Sequence, residues 1–139
     1  MLPELAEGPE SFAVPEGTLK IWRPRKGLVF TQVTGRMIAT HAECIIAAVD
    51  HACLECPKEA VGIHDWLDIE SYEISVYARM STWSPRVAKK MRRVTIGVRS
   101  PLVAMAVRTV NLAVGGRFEV FGQTEQLLEA ARAEWQRQR

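Results

Sequence analysis

Val94-Thr95-Ile96-Gly97-Val98-Arg99-Ser100-Pro101-Leu102-Val103-Ala104-Met105 decides how this chain reads. The first five residues are mostly β-branched and apolar, the composition of an interior strand. Ser100 and Pro101 then open a helix in the favoured way: serine caps it, and proline takes a first position that needs no N–H. The helix runs from Leu102 to Val114, and Gly115-Gly116 ends it. A strand that feeds directly into a helix is half of a βαβ unit, so the question becomes whether the unit recurs.

It recurs on both sides. Downstream, Phe118–Phe121 reads as a strand, Thr124 as a cap, and Glu125 to Gln138 as a helix with Leu127, Leu128, Ala131 and Trp135 inward. Upstream, Ala60–His64 is a short apolar strand, and Gly62 in it suggests close packing by a helix. Ser71 is the expected N-cap of the next helix, with Glu70 and Glu73 at its positive dipole end. Tyr72, Val76, Met80 and Trp83 form its apolar face, and Ser84-Pro85 marks its end. Earlier still, Arg36 to Cys56 carries Ile38, Ala42, Ile45, Val49, Ala52 and Cys56 at helical spacing, and Pro57 stops it. A hairpin precedes it: Thr18–Arg23, the turn Pro24-Arg25-Lys26-Gly27, then Leu28–Thr34 closed by Gly35.

Two segments are expected: an extended N-terminal arm over residues 1–17, broken by Pro3, Pro9 and Pro15, and one α/β domain over 18–139. The domain is a mixed five-stranded sheet with about four helices. Its first strand is the antiparallel edge, and the rest are mostly parallel. Sites in open sheets of this kind gather at the carboxyl ends of the strands.

Composition bounds the function. The chain has 139 residues, 47% of them hydrophobic, enough for a single core and too many for a disordered chain. No apolar run reaches membrane-spanning length, since Arg108 and Asn111 interrupt the longest one, so no stable membrane insertion is expected. Residues 1–17 hold four Glu and no base, unlike a secretory signal, and three cysteines fit a reducing compartment; a cytoplasmic location is the expectation. Net charge is +2, but it is polarised: four acids and no base between Asp65 and Glu73, five bases and no acid between Arg86 and Arg93. The basic run lacks aromatic interleaving and any nucleic-acid motif, so it reads as a solvated connection and no nucleic-acid partner is expected.

Other clusters carry little chemistry. His64 and Asp65 are neighbours on a strand, so they point to opposite faces and do not form a catalytic pair. His41, Cys44, His51, Cys53 and Cys56 share one helix, which sets the pair His41/Cys44 about 18 Å from the pair Cys53/Cys56, too far to close one tetrahedral site. No metal and no cofactor are expected. The helix Leu102–Val114 is apolar nearly all round, which calls for cover on both sides, by the arm or by another chain.

The order β-β-α-β-α-β-α-β-α resembles the STAS domain, and more specifically the bacterial SpoIIAA-like group, also called STAS/SEC14-like, of stand-alone domains. Strand two ending in Gly35, Ile63-His64-Asp65-Trp66 with Tyr72 following, Ser100-Pro101-Leu102-Val103-Ala104-Met105, and Phe118-Glu119-Val120-Phe121 carry the resemblance, over about residues 18 to 136. It implies non-catalytic work in signalling. Antagonist members bind a partner kinase, and a Ser or Thr at the start of the second helix is phosphorylated to switch that binding. Ser71 is the residue in register here, and Ser100 has a similar setting, although the antagonist pattern places small residues where this chain has Trp66 and Leu67. Other members are regarded as binders of lipids or small ligands.

The first functional reading is therefore a non-enzymatic regulatory module that binds a protein partner and self-associates as a homodimer. Asp65, Trp66, Asp68, Glu70, Ser71 and Glu73 form the partner surface, and Leu102, Val103, Met105 and Val110 the self-association surface. The alternative is a carrier or sensor of a small apolar or lipid ligand. Its pocket lies beside Met80 and Trp83, with Arg79 or Arg108 holding an anionic head.

Overall fold

The structure is a computed structural model and describes residues 10–137. The elements run β1 (Glu10–Val14), β2 (Gly17–Arg25), β3 (Leu28–Met37), α1 (Ala39–Glu55), β4 (Ala60–Tyr72), α2 (Ile74–Ala88), β5 (Met91–Val98), α3 (Pro101–Ala113), β6 (Phe118–Phe121) and α4 (Thr124–Arg137). They build one mixed sheet in the order β1-β2-β3-β4-β5-β6. The pairs β1–β2 and β2–β3 are antiparallel, and β3 through β6 are parallel.

This is the expected α/β architecture with six strands rather than five. The extra strand, Glu10–Val14, lies in the segment expected to be an irregular arm and pairs Phe12 with Leu19. It takes the edge position expected for residues 18–23, so β2 is interior. The proline spacing concealed it: between Pro9 and Pro15 five residues are free to pair. The rest of the arm, residues 1–9, lies outside the described residues.

Because the strands follow one another in order, the three helices that cross between parallel neighbours lie on one face. Ile45 and Val49 of α1, Val76 and Trp83 of α2, and Val103 and Val107 of α3 share a core with Val33, Ile69 and Ile96 of the sheet. Leu127 and Ala131 of α4 cover the other face, against Phe30, Val61, Ile63 and Leu67. The order never reverses, so there is no switch-point crevice at the strand ends of the kind that usually marks a site in such sheets. Any site has to be sought between the layers.

Two strands run longer than their sequence signals. Gly35 was read as the end of β3, yet it is a bulge inside it: its φ is +79°, and a Cβ there would come within 2.6 Å of the Glu16 carbonyl oxygen. The strand continues to Met37. Along β4, Leu67 packs on the α4 face and Ile69 on the face of α1–α3, on either side of the register shift after Gln32, so pairing with β3 makes this stretch a strand rather than an acidic turn. β4 pairs with β3 as far as Met37–Tyr72, with register shifts after Gln32 and after Gly35. Consequently α2 begins at Ile74 with Glu73 at its cap, not at Ser71. It also runs through Pro85 to Ala88, because burial of Trp83, Val87 and Ala88 outweighs the one backbone bond the proline lacks.

The basic run does more than connect. Arg92 and Arg93 open β5 and reach Glu134 of α4, whose side chain is only 3% exposed. Arg92 grips its carboxylate with Nη1 at 3.1 Å and Nη2 at 2.6 Å, and Arg93 donates to the same group at 3.1 Å. Arg93 also pairs with Glu119 of β6, which accepts from Thr95. Burial pushes the Glu134 carboxyl up, but the two guanidiniums outweigh it and hold it below the usual range. This network fastens α4 to the sheet.

Candidate functional site

The layer between the sheet and helices α2 and α3 is not filled. A cavity of about 90 Å³ lies there, walled by Ile69 and His64 of β4, Val94 and Ile96 of β5, Val76, Met80 and Trp83 of α2, and Val103, Val107 and Val110 of α3. Alternation along β4 puts His64 and Trp66 on this face and Ile63 and Leu67 on the other. Trp66, Tyr72, Tyr77, Met80 and Ala106 are partly exposed and form its rim. Among the described residues no Asp, Glu, Lys or Arg lines it.

His64 is 5% exposed and sits in the cavity wall. Its Nδ1 lies 2.7 Å from Thr31 Oγ1, and the Trp66 indole N–H donates to the same oxygen at 3.1 Å. The two rings lie 5.1 Å apart. Burial pushes the imidazole pKa down from 6.5 to about 4, so the ring is neutral at physiological pH. Gly62 is what makes room for it: a Cβ at that position would stand 2.8 Å from His64 Nε2. The sequence suggested close packing by a helix at Gly62, whereas the close neighbour is this imidazole.

The expected pocket residues divide. Met80 and Trp83 line the cavity, and the Trp83 indole N–H is held by Asp50 at 2.9 Å. Arg79 and Arg108 do not line it. Arg79 pairs with Glu43 at 2.8 Å outside, and Arg108 is exposed on α3. No cation is placed to hold an anionic head inside. A second space of about 480 Å³ lies between the carboxyl ends of α1 and α2, edged by Lys58, Arg86, Lys89 and Lys90; Trp83 and Val87 line both spaces.

The acidic segment is largely engaged within the fold. Asp65 accepts from the Gln32 side chain at 3.2 Å and from the Leu67 N–H at 3.3 Å. Asp68 pairs with Arg99 at 3.1 Å, and Glu73 accepts the Ala39 N–H at 2.7 Å at the start of α1. Ser71 accepts from Arg36 at 3.2 Å inside β4, away from the helix start where the sequence placed it. Glu70 is exposed. Ser100 is the N-cap of α3.

The expected self-association set divides as well. Val103 and Val110 are buried and face the cavity, while Leu102, Met105 and Leu112 stand 52%, 67% and 82% exposed. The helix is thus apolar on both faces, as its sequence says, but only one face is covered by the described residues. On the side of metals, among the described residues no group of three or more His, Cys, Asp or Glu is placed to hold an ion. Cys53 is buried, with Cys44 and Cys56 partly so. Among the described residues no helix is long and apolar enough to cross a membrane.

Comparison with known proteins bears on the fold. No family model matches the chain, and no curated protein matches it by sequence. Solved structures do. An uncharacterised DUF3478-family protein with a SpoIIAA-like fold from Shewanella loihica PV-4 superposes with a TM-score of 0.60 at 17% identity, over 86% of this chain and 97% of its own. An anti-sigma factor antagonist from Mycobacterium paratuberculosis gives 0.58 at 15% identity, over 87% and 99%. The chain has a SpoIIAA-like fold.

Proposed function

We propose that this protein is a non-enzymatic regulatory module of the STAS type, and that its binding site is the apolar cavity between β4–β5 and helices α2–α3. The cavity carries the reading. Close packing is the rule in protein interiors, and voids above the size of a water molecule are few per domain. Here a pocket of about 90 Å³, open at a partly exposed rim, is left among apolar walls. At one water-sized volume per atom, it has room for roughly six to nine non-hydrogen atoms. The likeness to an anti-sigma factor antagonist supports regulation as the purpose of binding. The site's chemistry agrees with binding rather than turnover. Asp65 is turned away from His64 and engaged by Gln32.

A small apolar probe tests the site. Ethylbenzene is expected to raise the midpoint of thermal unfolding of the wild-type chain by mass action. Ala106→Phe, which places a ring in the rim, is expected to abolish that rise while leaving the protein folded. An equal rise in both proteins would mean that the probe binds elsewhere.

A second reading, docking of a protein partner or a second copy, is favoured by the outer face of α3. Leu102, Met105, Thr109 and Leu112 are all exposed and follow the three-four spacing of a coiled-coil seam. Replacing Leu102, Met105 and Leu112 by Ser is expected to change stability by no more than about 0.5 kcal/mol per substitution, since all three are exposed. Sedimentation velocity checks the rest: the wild type should show concentration-dependent association that the triple variant lacks. Identical monomeric profiles would remove self-association through α3. The acidic residues Asp68, Glu70 and Glu73, with Asp65, Trp66 and Ser71 beside them, remain the partner surface in this reading. Lys at 68 and 70 is the variant that tests it.

A further inference from the structure

We propose that the cavity takes a small, uncharged, largely apolar molecule with one carbonyl-type acceptor, and that the acceptor is seated on the Nε2–H of His64. The proposal rests on the cavity being the binding site and names the ligand class it admits.

The argument starts at Thr31, which is fully buried in β3. Its hydroxyl oxygen already accepts the Trp66 N–H. Its own proton needs an acceptor, and among the described residues His64 Nδ1, at 2.7 Å, is the one in reach. Nδ1 therefore accepts, and a neutral imidazole then carries its proton on Nε2. That second nitrogen makes no hydrogen bond among the described residues, and the ring forms part of the cavity wall. Gly62 brings no side chain against this nitrogen: a Cβ there would stand 2.8 Å from Nε2 and 3.2 Å from the Met91 methyl. A buried donor facing apolar walls is costly unless something accepts from it.

The Tyr72 and Tyr77 phenols belong to the partly exposed rim, and among the described residues the polar groups of the wall other than these and His64 are three. The indole N–H groups of Trp66 and Trp83 are bonded to Thr31 and Asp50. Ser84 is buried in the wall, but a serine on a helix can turn its hydroxyl to the carbonyl four residues back. An imidazole has no such route.

The uncharged character follows from what is missing near the donor. No basic side chain lines the cavity, and burial keeps His64 neutral down to about pH 4, so an ionised ligand would lose its hydration without gaining a counter-ion. A ketone, an ester, a lactone or an acid in its protonated form shares the fitting chemistry.

Three probes of matched size decide it: acetophenone, ethylbenzene and benzoate, titrated into isotopically labelled protein and followed by NMR at pH 7.5. Acetophenone is expected to shift the resonances of His64, Trp66 and Val107, and to bind on the order of fivefold to tenfold more tightly than ethylbenzene, as one neutral hydrogen bond allows. Benzoate should leave those resonances unmoved. His64→Phe should bring the preference for acetophenone to about one, and Ser84→Ala should leave it unchanged. The wild-type comparison stands even if a variant fails to fold, and the imidazole nitrogen shifts read the Nε2–H tautomer directly. Equal binding of acetophenone and ethylbenzene at these residues would overturn the role of His64 while keeping the cavity as a site. Tighter binding of benzoate would overturn the uncharged class. No shift with any probe would overturn the cavity reading itself.

Discussion

Glu134→Ala is expected to lower the free energy of unfolding by about 3 kcal/mol. The carboxylate is enclosed, and two guanidiniums depend on it: Arg92 through both its terminal nitrogens and Arg93 through Nη1. Removing it leaves two cations, with side chains 19% and 26% exposed, to share the outer acids Glu59 and Glu119. The loss exceeds that of an exposed ion pair, which contributes at most about 1 kcal/mol, because here the surviving charges cannot turn fully to water. Glu134→Gln keeps the volume and an acceptor and should cost clearly less. Urea unfolding of the three proteins at neutral pH measures both effects. A loss below about 1 kcal/mol for Glu134→Ala would mean that the network is ordinary solvated surface.

Acidification is expected to weaken the fold by about 3 kcal/mol between pH 7 and pH 4 through His64 alone. The unfolded imidazole titrates near 6.5 and the folded one near 4. Below 6.5 the unfolded chain takes up a proton that the folded chain refuses, so stability falls as pH drops through this window. The full cost is reached once pH is below about 4. His41 is also buried, and burial lowers its pKa in the same direction, so it adds to the slope. Glu134 and Glu119 act later: their carboxyls are held below the ordinary 4.5, and the stability they contribute is lost only as pH falls through their folded values. Denaturant unfolding at a series of pH values should therefore show a slope between pH 6.5 and 4.5 that is substantially reduced in His64→Gln. Equal slopes in the two proteins would show that His64 is solvated or already charged.

Most of the fold was legible because its signals are local. The Ser100-Pro101 helix start, the Gly115-Gly116 stop and the β-branched run at Val94–Val98 are each sufficient where they stand. One strand was missed and two were cut short because tertiary pairing decides them. Glu10–Val14 has no strand composition to speak of, and β2 makes it a strand. The continuation of β4 past His64 depends on pairing with β3 across a register shift that no local pattern shows, while Glu70 and Glu73 beside Ser71 resemble a helix terminus. That resemblance moved Ser71 from a strand to a cap.

The site was legible in part. Met80 and Trp83 were read from one apolar helix face, and the exposed side of α3 from its excess of apolar residues. The role of Thr31 was not readable. Its hydroxyl meets His64 across two paired strands, 33 residues apart in the chain, and no spacing rule reaches that far. Arg79 and Arg108, the head-group cations the sequence offers, stay outside: the one pairs with Glu43 and the other is exposed.

The measurement that bears most directly on the cavity as the working site is a set of intermolecular NOEs from bound ethylbenzene to the methyl groups of the protein. Contacts to Val94, Val103, Val107 and Val110, which wall the cavity, are the expected result. Contacts confined to Leu102, Met105 and Leu112 on the outer face of α3, with none to the four valines, would contradict it.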